Sequence, residues 1–345
     1  MKNDNIAKLI EAKYYIREKD TLKCQICPNY CIIAQGKVGR CLGRKNISGK
    51  LYAINYGEVV SMALDPIEKK PLYHFFPGSK IVSVATYGCN LLCPFCQNWE
   101  ISHQTVPSRY FDPESLLETA KRPDSIGISY TYTEPLIWFE YLMEICPLVR
   151  KAGLQNILVT NGMINEAPLR ELLPYIDAMN IDLKSIKPEF YADFIKGDLA
   201  TVLNTIKISK PECHIELTNL LIPTKNDSVE ELTELVGFVA SVGKDTVLHF
   251  SRYFPNYKLA IAPTPTETLI RAYEIAKKKL DYVYIGNVTG LSNGNNTYCP
   301  KCSNLLIARG YFNAKIQGIK DGACNRCGRK VDIVMDKNQP LKTNN

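Results

Sequence analysis

Thr86-Tyr-Gly-Cys-Asn-Leu-Leu-Cys-Pro-Phe-Cys-Gln-Asn98 is the stretch on which the reading of this chain turns. It sets Cys89, Cys93 and Cys96 at C-x3-C-x2-C spacing, directly after the apolar run at 81–85. Three thiolates this close can hold three irons of a [4Fe–4S] cluster, and no further cysteine follows until Cys146. The fourth iron is then left open to bind a substrate or a second cofactor, whereas a cluster closed by four cysteines transfers electrons. The rival readings are a zinc knuckle or three thiols packed as small hydrophobes. A closed zinc site wants four ligands and this run supplies three, so the cluster is favoured.

The rest of the composition supports a metal reading. The chain has 345 residues, enough for one large α/β domain with small appendages. Its 46% hydrophobic and 22% charged residues are ordinary for a soluble globular protein. No apolar run reaches the roughly 20 residues that span a bilayer. Met1-Lys-Asn-Asp-Asn5 lacks a signal core, so the expectation is a cytoplasmic protein with no membrane partner. A reducing cytosol argues against a disulfide framework for the 13 cysteines. Eleven of them fall in three clusters, Cys24/Cys27/Cys31/Cys41, Cys89/Cys93/Cys96 and Cys299/Cys302/Cys324/Cys327, which means metal. Cys146 and Cys213 stand alone in apolar contexts and read as core thiols. The net charge of +7 is spread along the chain. Lys277-Lys278-Lys279 closes an amphipathic run where cations favour the helix dipole, so no nucleic-acid partner is expected. A mildly basic surface suits an acidic protein or a charged small substrate.

Between about 80 and 290, apolar β-branched runs alternate with helical patterns. Strands are expected at 81–85, 125–130, 156–160, 178–183, 214–221, 246–251 and 282–285. Helices are expected at 113–121, 135–151, 166–174, 228–242 and 265–280, the first capped by Asp112 with Pro113 at its first position. Strict alternation implies an α/β fold of parallel strands with crossover helices, whose functional residues gather at the strands' carboxyl ends. Residues 1–79 read as an N-terminal Cys-rich lobe, 80–290 as the barrel, and 291–345 as a zinc-ribbon-like lobe with a polar tail. The Pro-rich run Asp65-Pro-Ile-Glu-Lys-Lys-Pro-Leu-Tyr-His-Phe-Phe-Pro-Gly78 leads into the barrel.

Four strand ends carry polar residues. In Tyr130-Thr-Tyr-Thr133-Glu134-Pro135, a carboxylate among free carbonyls can hold an ammonium, or can simply cap the helix opened by Pro135. Thr160-Asn161-Gly162 suits a tight turn or a ribose contact. Alternation places Asn180, Asp182 and Lys184 on one face, opposite Ile181 and Leu183. A buried aspartate and lysine must pair with each other or bind something. His249, Ser251 and Arg252 stand at the sixth strand's end, where the histidine can stack on a base or serve structure alone.

The outer clusters differ. Cys299-x2-Cys302 and Cys324-x2-Cys327 flank a β-like run, a zinc-ribbon signature in which zinc is favoured over rubredoxin-type iron. Cys24-x2-Cys27-x3-Cys31-x9-Cys41 suits structural zinc or an auxiliary iron–sulfur cluster, and a small lobe with little core leans the reading to zinc.

Taken together, the chain resembles the radical S-adenosylmethionine (SAM) enzymes that activate glycyl-radical enzymes, such as pyruvate formate-lyase activating enzyme. More closely it resembles the AmmeMemoRadiSam system radical SAM enzymes. The resemblance rests on 89–98, Tyr-Thr-Glu-Pro (132–135), Thr-Asn-Gly (160–162), Ile-Asp-Leu-Lys (181–184) and Leu-His-Phe-Ser-Arg-Tyr-Phe-Pro (248–255). The closer likeness adds Asp-Pro-Ile-Glu-Lys-Lys-Pro-Leu (65–72) and Tyr-Cys-Pro-Lys-Cys (298–302). It implies a partial (β/α)6 barrel in which the open iron chelates SAM. One electron from the cluster then releases methionine and a 5′-deoxyadenosyl radical, which abstracts a hydrogen atom from a protein or a small molecule. It also implies that Thr133, Glu134, Asn161, Asp182, Lys184 and His249 surround SAM, and that a flavodoxin or ferredoxin supplies electrons. Two positions depart from the family pattern: Val159 replaces an acid before Thr-Asn-Gly, and Tyr132-Thr133-Glu134 replaces Gly-Gly-Glu. The alternative from another class is a zinc-binding interaction protein without catalysis.

Overall fold

The computed structural model describes residues 9–288, 294–310 and 312–335. Its centre is an eight-stranded sheet whose spatial order follows the chain. The strands are β1 (Ser61–Pro66), β2 (Lys80–Ala85), β3 (Gly127–Tyr130), β4 (Gln155–Thr160), β5 (Ala178–Asp182), β6 (His214–Leu221), β7 (Val247–Arg252) and β8 (Val283–Gly286). From β2 to β8 every pairing is parallel, and β1 lies antiparallel to β2 at the edge. The crossovers carry α1 (Pro113–Ala120), α2 (Phe139–Lys151), α3 (Glu166–Leu172), α4 (Leu199–Ser209), α5 (Val229–Val242) and α6 (Thr266–Lys277). This is the partial (β/α)6 barrel that the resemblance implies, and each parallel strand expected from the alternation is in place.

Three elements differ from the sequence reading. Strand β1 was not expected, because its alternation is broken by an aspartate and a proline; the aspartate turns out to be a partner of lysines. Helix α4 was also missed, since Thr201, Val202, Ile206 and Ile208 favour a strand locally. Its signal is the N-cap, where the Asp198 carboxylate accepts from the Thr201 N–H at 2.7 Å. Finally, the helix expected from 135 begins as a 3₁₀ turn, Pro135–Trp138, before α2 proper.

The end of the barrel formed by the strands' amino ends is plugged. Ile67, Leu72 and Phe75 pack with Ile81, Ile157 and Ala178 in one buried cluster. The Asn180 amide on β5 donates to the Pro71 carbonyl at 2.8 Å. The His74 N–H donates to the buried Glu216 carboxylate on β6 at 2.6 Å. The Pro-rich run is therefore the barrel's floor.

The N-terminal lobe consists of two three-stranded sheets. It sits over the carboxyl end of the barrel, where Trp138 Nε1 donates to Asn55 O and Asn165 N donates to Ile26 O. The C-terminal lobe closes against the plug. Val334 N donates to His74 O, and Phe76 N to Val334 O. The Arg309 guanidinium lies 4.4 Å from the Tyr73 ring and donates to the Tyr73 carbonyl. Among the described residues, no helix is long and apolar enough to cross a membrane.

Replacing Asp198 with alanine removes the α4 cap and should cost about 1 kcal/mol of stability, read as a lower urea midpoint with an unchanged fold by circular dichroism. An unaltered midpoint would show that packing alone holds this helix.

Candidate active site at the carboxyl ends of the strands

Residues 86–98 leave β2 and cross the carboxyl ends of the strands, fixed there by residues that follow β3 and β4. The Thr133 hydroxyl donates to Thr86 O at 2.7 Å, and the Asn98 amide donates to Tyr132 O at 2.5 Å. Asn161 does more. Its side-chain nitrogen donates to Asn90 Oδ1 at 2.9 Å and points at Cys89 Sγ from 3.6 Å. Its oxygen accepts from Met163 N at 2.8 Å. Leu91 N also lies 3.4 Å from Cys89 Sγ. Donors aimed at a ligating sulfur stabilise its negative charge and raise a cluster's potential.

Glu134 organises this end. Oε1 accepts from Leu136 N at 3.0 Å and from Thr160 Oγ1 at 2.6 Å, and Oε2 accepts from Asn161 N at 2.8 Å. It is 1% exposed, and burial raises its carboxyl to about 7 against those three donors. The helix-capping role is thus present while the side chain still lines the cavity.

That cavity, about 310 Å³, is lined by all three loop cysteines together with Thr133, Glu134, Asn161, Asp182 and Lys184. Lys184 Nζ pairs with Asp182 Oδ2 at 2.8 Å. As alternation implies, Asn180 shares their face and reaches the plug below them. Val159 lines the wall where the resembled activases carry an acid, leaving that patch apolar. Burial pushes the Cys93 thiol up to about 12 despite the nearby Lys184 ammonium, and holds Cys89 well above its usual range. Such thiols stay protonated until a metal takes the proton's place.

His249 lies outside this cavity, in an adjoining chamber of about 540 Å³. Its Nε2 is 2.6 Å from Glu216 Oε2, and its ring stacks on Tyr284 at 5.3 Å. Glu216 was not singled out in the sequence. The signal was available, since His214, Glu216 and Thr218 alternate on one face of β6.

Lys69 and Lys70 were also missed as site residues, though the pair follows Asp65 at helical spacing, and Tyr132 was noted only as a departure from the family pattern. Asp65 receives Lys70 Nζ at 2.7 Å, Lys69 Nζ at 2.9 Å, and the Tyr132 hydroxyl. Burial alone would raise Asp65, yet these donors hold it below the usual carboxylate range. Lys70 is 1% exposed, and burial brings its ammonium down to about 8 against the pull of Asp65. Tyr132 has φ +68°, a left-handed conformation costing roughly 1–2 kcal/mol for a residue with a Cβ. It occupies a glycine position of the resembled family. Its hydroxyl on Asp65 and its carbonyl under Asn98 hold it there.

The C-terminal quartet offers a second candidate metal site. Cys299, Cys302, Cys324 and Cys327 place their sulfurs within 4.8 Å of one another. Cys299 Sγ is 3.6 Å from Cys327 Sγ, and Cys302 Sγ is 3.7 Å from Cys324 Sγ. A tetrahedral Zn–S site at about 2.3 Å has edges near 3.8 Å, so one ion fits. Iron satisfies the same geometry. Cys24, Cys27 and Cys41 are buried and Cys31 is half-buried, all in the N-terminal lobe.

Residues 83–236 match the Radical SAM superfamily. An uncharacterized protein of Methanocaldococcus jannaschii is 46% identical over 94% of this chain and 99% of its own length. The pyruvate formate-lyase-activating enzyme of Listeria monocytogenes is 28% identical over 48% of this chain and 71% of that enzyme. Among solved structures, Streptococcus suis SuiB bound to S-adenosylmethionine superposes with TM-score 0.50 at 14% identity, covering 66% of this chain and 53% of SuiB.

Two measurements probe this geometry. Lys70→Met removes the buried ammonium from Asp65, leaving it Lys69 and the Tyr132 hydroxyl, and should cost about 2 kcal/mol, whereas Lys69→Met, at a half-exposed pair, should cost under about 1 kcal/mol. Equal urea midpoints for the two variants would contradict the burial argument. The double variant Cys302→Ala/Cys327→Ala should lose about one tightly held metal ion per chain by elemental analysis, and retained metal would show that the quartet is not its site.

Proposed function

The chain belongs to the radical SAM superfamily, and we propose that its carboxyl-end cavity cleaves SAM reductively and directs the resulting radical at a substrate in the adjoining chamber. The observation that carries this reading is the lining of one cavity by Cys89, Cys93 and Cys96 beside Thr133, Glu134, Asp182 and Lys184. The donor set fits a cluster with one open iron. Once bound, the cluster and SAM supply a one-electron cleavage of the sulfonium to methionine and a 5′-deoxyadenosyl radical.

The protein's own residues bind, orient and seal. Lys184 would meet the SAM carboxylate, trading part of its pairing with Asp182 for a second anion. Glu134 and the carbonyls near Thr133 would face the ammonium. Asn161 has its amide committed to Asn90, Cys89 and Met163, so it acts as a positioning residue for Cys89. His249, held by Glu216, would bound the adenine side or the substrate.

By its likeness to pyruvate formate-lyase-activating enzyme, the hydrogen donor is a protein backbone glycine and the reductant a low-potential flavodoxin or ferredoxin. A second reading, a small metabolite, is favoured by the chamber beside the cavity, whose volume of about 540 Å³ is that of a small-molecule pocket.

Anaerobically reconstituted protein should release 5′-deoxyadenosine from SAM under a strong reductant, and Cys89→Ala/Cys93→Ala/Cys96→Ala should release none. Lys184→Met should raise the KM for SAM about tenfold, the loss of one charge-assisted contact. Equal release by wild type and the triple variant would remove the catalytic reading and favour a zinc-binding interaction protein.

A further inference from the structure

We propose that Glu68 and Lys69, carried on the plug, recognise the substrate of the adjoining chamber, and that this substrate is a small zwitterion of amino-acid type. Its role as hydrogen donor rests on the radical reading above; the binding site itself does not.

The plug is anchored by apolar residues, and sealing the barrel needs nothing more. Ile67 and Leu72 are both fully buried in its hydrophobic cluster. Between them a single 3₁₀ turn, Ile67–Lys69, and the residue after it set three charges against the barrel's interior. Lys69 and Lys70 line the cysteine cavity, and Glu68 and Lys69 line the chamber beside it. Charges in such a place are costly unless something answers them.

Their own partners leave opposite charges unanswered. Asp65 is one carboxylate facing two ammonium groups, Lys70 at 2.7 Å and Lys69 at 2.9 Å. The Lys70 side chain, 1% exposed, depends on that pairing, whereas that of Lys69 is 43% exposed. One positive charge is left over, and Lys69 carries it to the chamber wall. Glu68 lacks a partner of the other sign. It is 4% exposed, and its Oε1 accepts from Gly78 N at 2.8 Å. Its Oε2 is buried with no hydrogen-bond partner among the described residues. By contrast, the buried Glu134 and Glu216 have both oxygens engaged. Arg309 is near enough to favour a charge on Glu68, yet its N–H donors go to Tyr73 O, Thr297 Oγ1 and Asn295 O.

A carboxylate oxygen without a donor and a surplus ammonium, in one chamber of about 540 Å³, call for one ligand bearing a cationic donor and an anion. Gln97, His249, Ser251 and Asn287 line the same chamber and surround that ligand with hydrogen-bonding groups. Tyr132, Thr218 and Ser251 line both spaces, so a molecule in the chamber lies directly against the site for SAM. A backbone glycine within a protein carries neither charge. An amino acid carries both.

Equilibrium dialysis tests the site without radical chemistry. Full-length wild type, reconstituted anaerobically with iron and sulfide, is dialysed with SAM and no reductant against a deuterated mixture of free L-amino acids. At least one should be retained, at about one per chain. Its deaminated and decarboxylated counterparts should each bind about tenfold more weakly, having lost one charge-assisted contact. Glu68→Gln and Lys69→Met should each weaken its retention about tenfold, with urea midpoints showing both variants folded. Retention of no amino acid, or unchanged retention by either variant, would overturn the proposal. Preferred retention of a glycine-bearing peptide would overturn it in favour of the activase reading. Dithionite then ties ligand to reaction. One C–D bond of the retained amino acid breaks, the deuterium joins the 5′ carbon of the deoxyadenosyl radical, and the unpaired electron stays on the ligand. Deuterated 5′-deoxyadenosine is the expected product. Release of unlabelled 5′-deoxyadenosine alone would remove the substrate assignment and leave the radical reading standing. Retention with no release at all would remove the radical reading and leave the binding site standing.

Discussion

A single buried carboxylate sets the architecture of the cavity. Glu134 ends the β3 turn, yet its oxygens are spent on Leu136, Thr160 and Asn161, so it locks the ends of two parallel strands in register. Hydrogen bonds to an ionised acceptor are worth about 1.5–3 kcal/mol each, and three of them offset part of what burial costs the charge, leaving the carboxyl at about 7. Asn161 inherits that rigidity and passes it to Cys89 and Asn90. The cysteine loop, which has little regular structure of its own, is thus placed by a strand end rather than by itself.

Below it, a second buried carboxylate does comparable work with different partners. Glu216 accepts from His74 N and lies within hydrogen-bond reach of His214 and His249, so the plug, β6 and β7 share one charge. The plug in turn supplies Lys70, whose pairing with Asp65 holds the Tyr132 hydroxyl. Floor and mouth are therefore connected through side chains that an apolar core would not provide. The conformational strain at Tyr132 is tolerable only because these contacts are present.

Much of this was legible in the sequence. The parallel strands, the loop cysteines and the shared face of Asn180, Asp182 and Lys184 follow from period-2 patterning and cysteine spacing, which are local properties. What stayed hidden is non-local. Asp65 and Tyr132 are 67 positions apart, and His74 meets Glu216 across 142. Nothing in either neighbourhood announces the partner. Helix α4 was lost for another reason: β-branched residues obscured a cap whose effect is worth only about 1 kcal/mol.

The C-terminal lobe follows the barrel in the chain yet completes its floor, through Val334 on His74 and Phe76 and Arg309 on Tyr73. During synthesis the parallel strands emerge first, and the plug waits for a segment still inside the ribosome. Until that segment arrives, the base of the barrel is incompletely held. Maturation thereby acquires an order: the lobe synthesised last must dock before the floor beneath the cavity is complete. A break in those few floor contacts would then be felt at the opposite end of the barrel, through strands that share Glu216 with the plug.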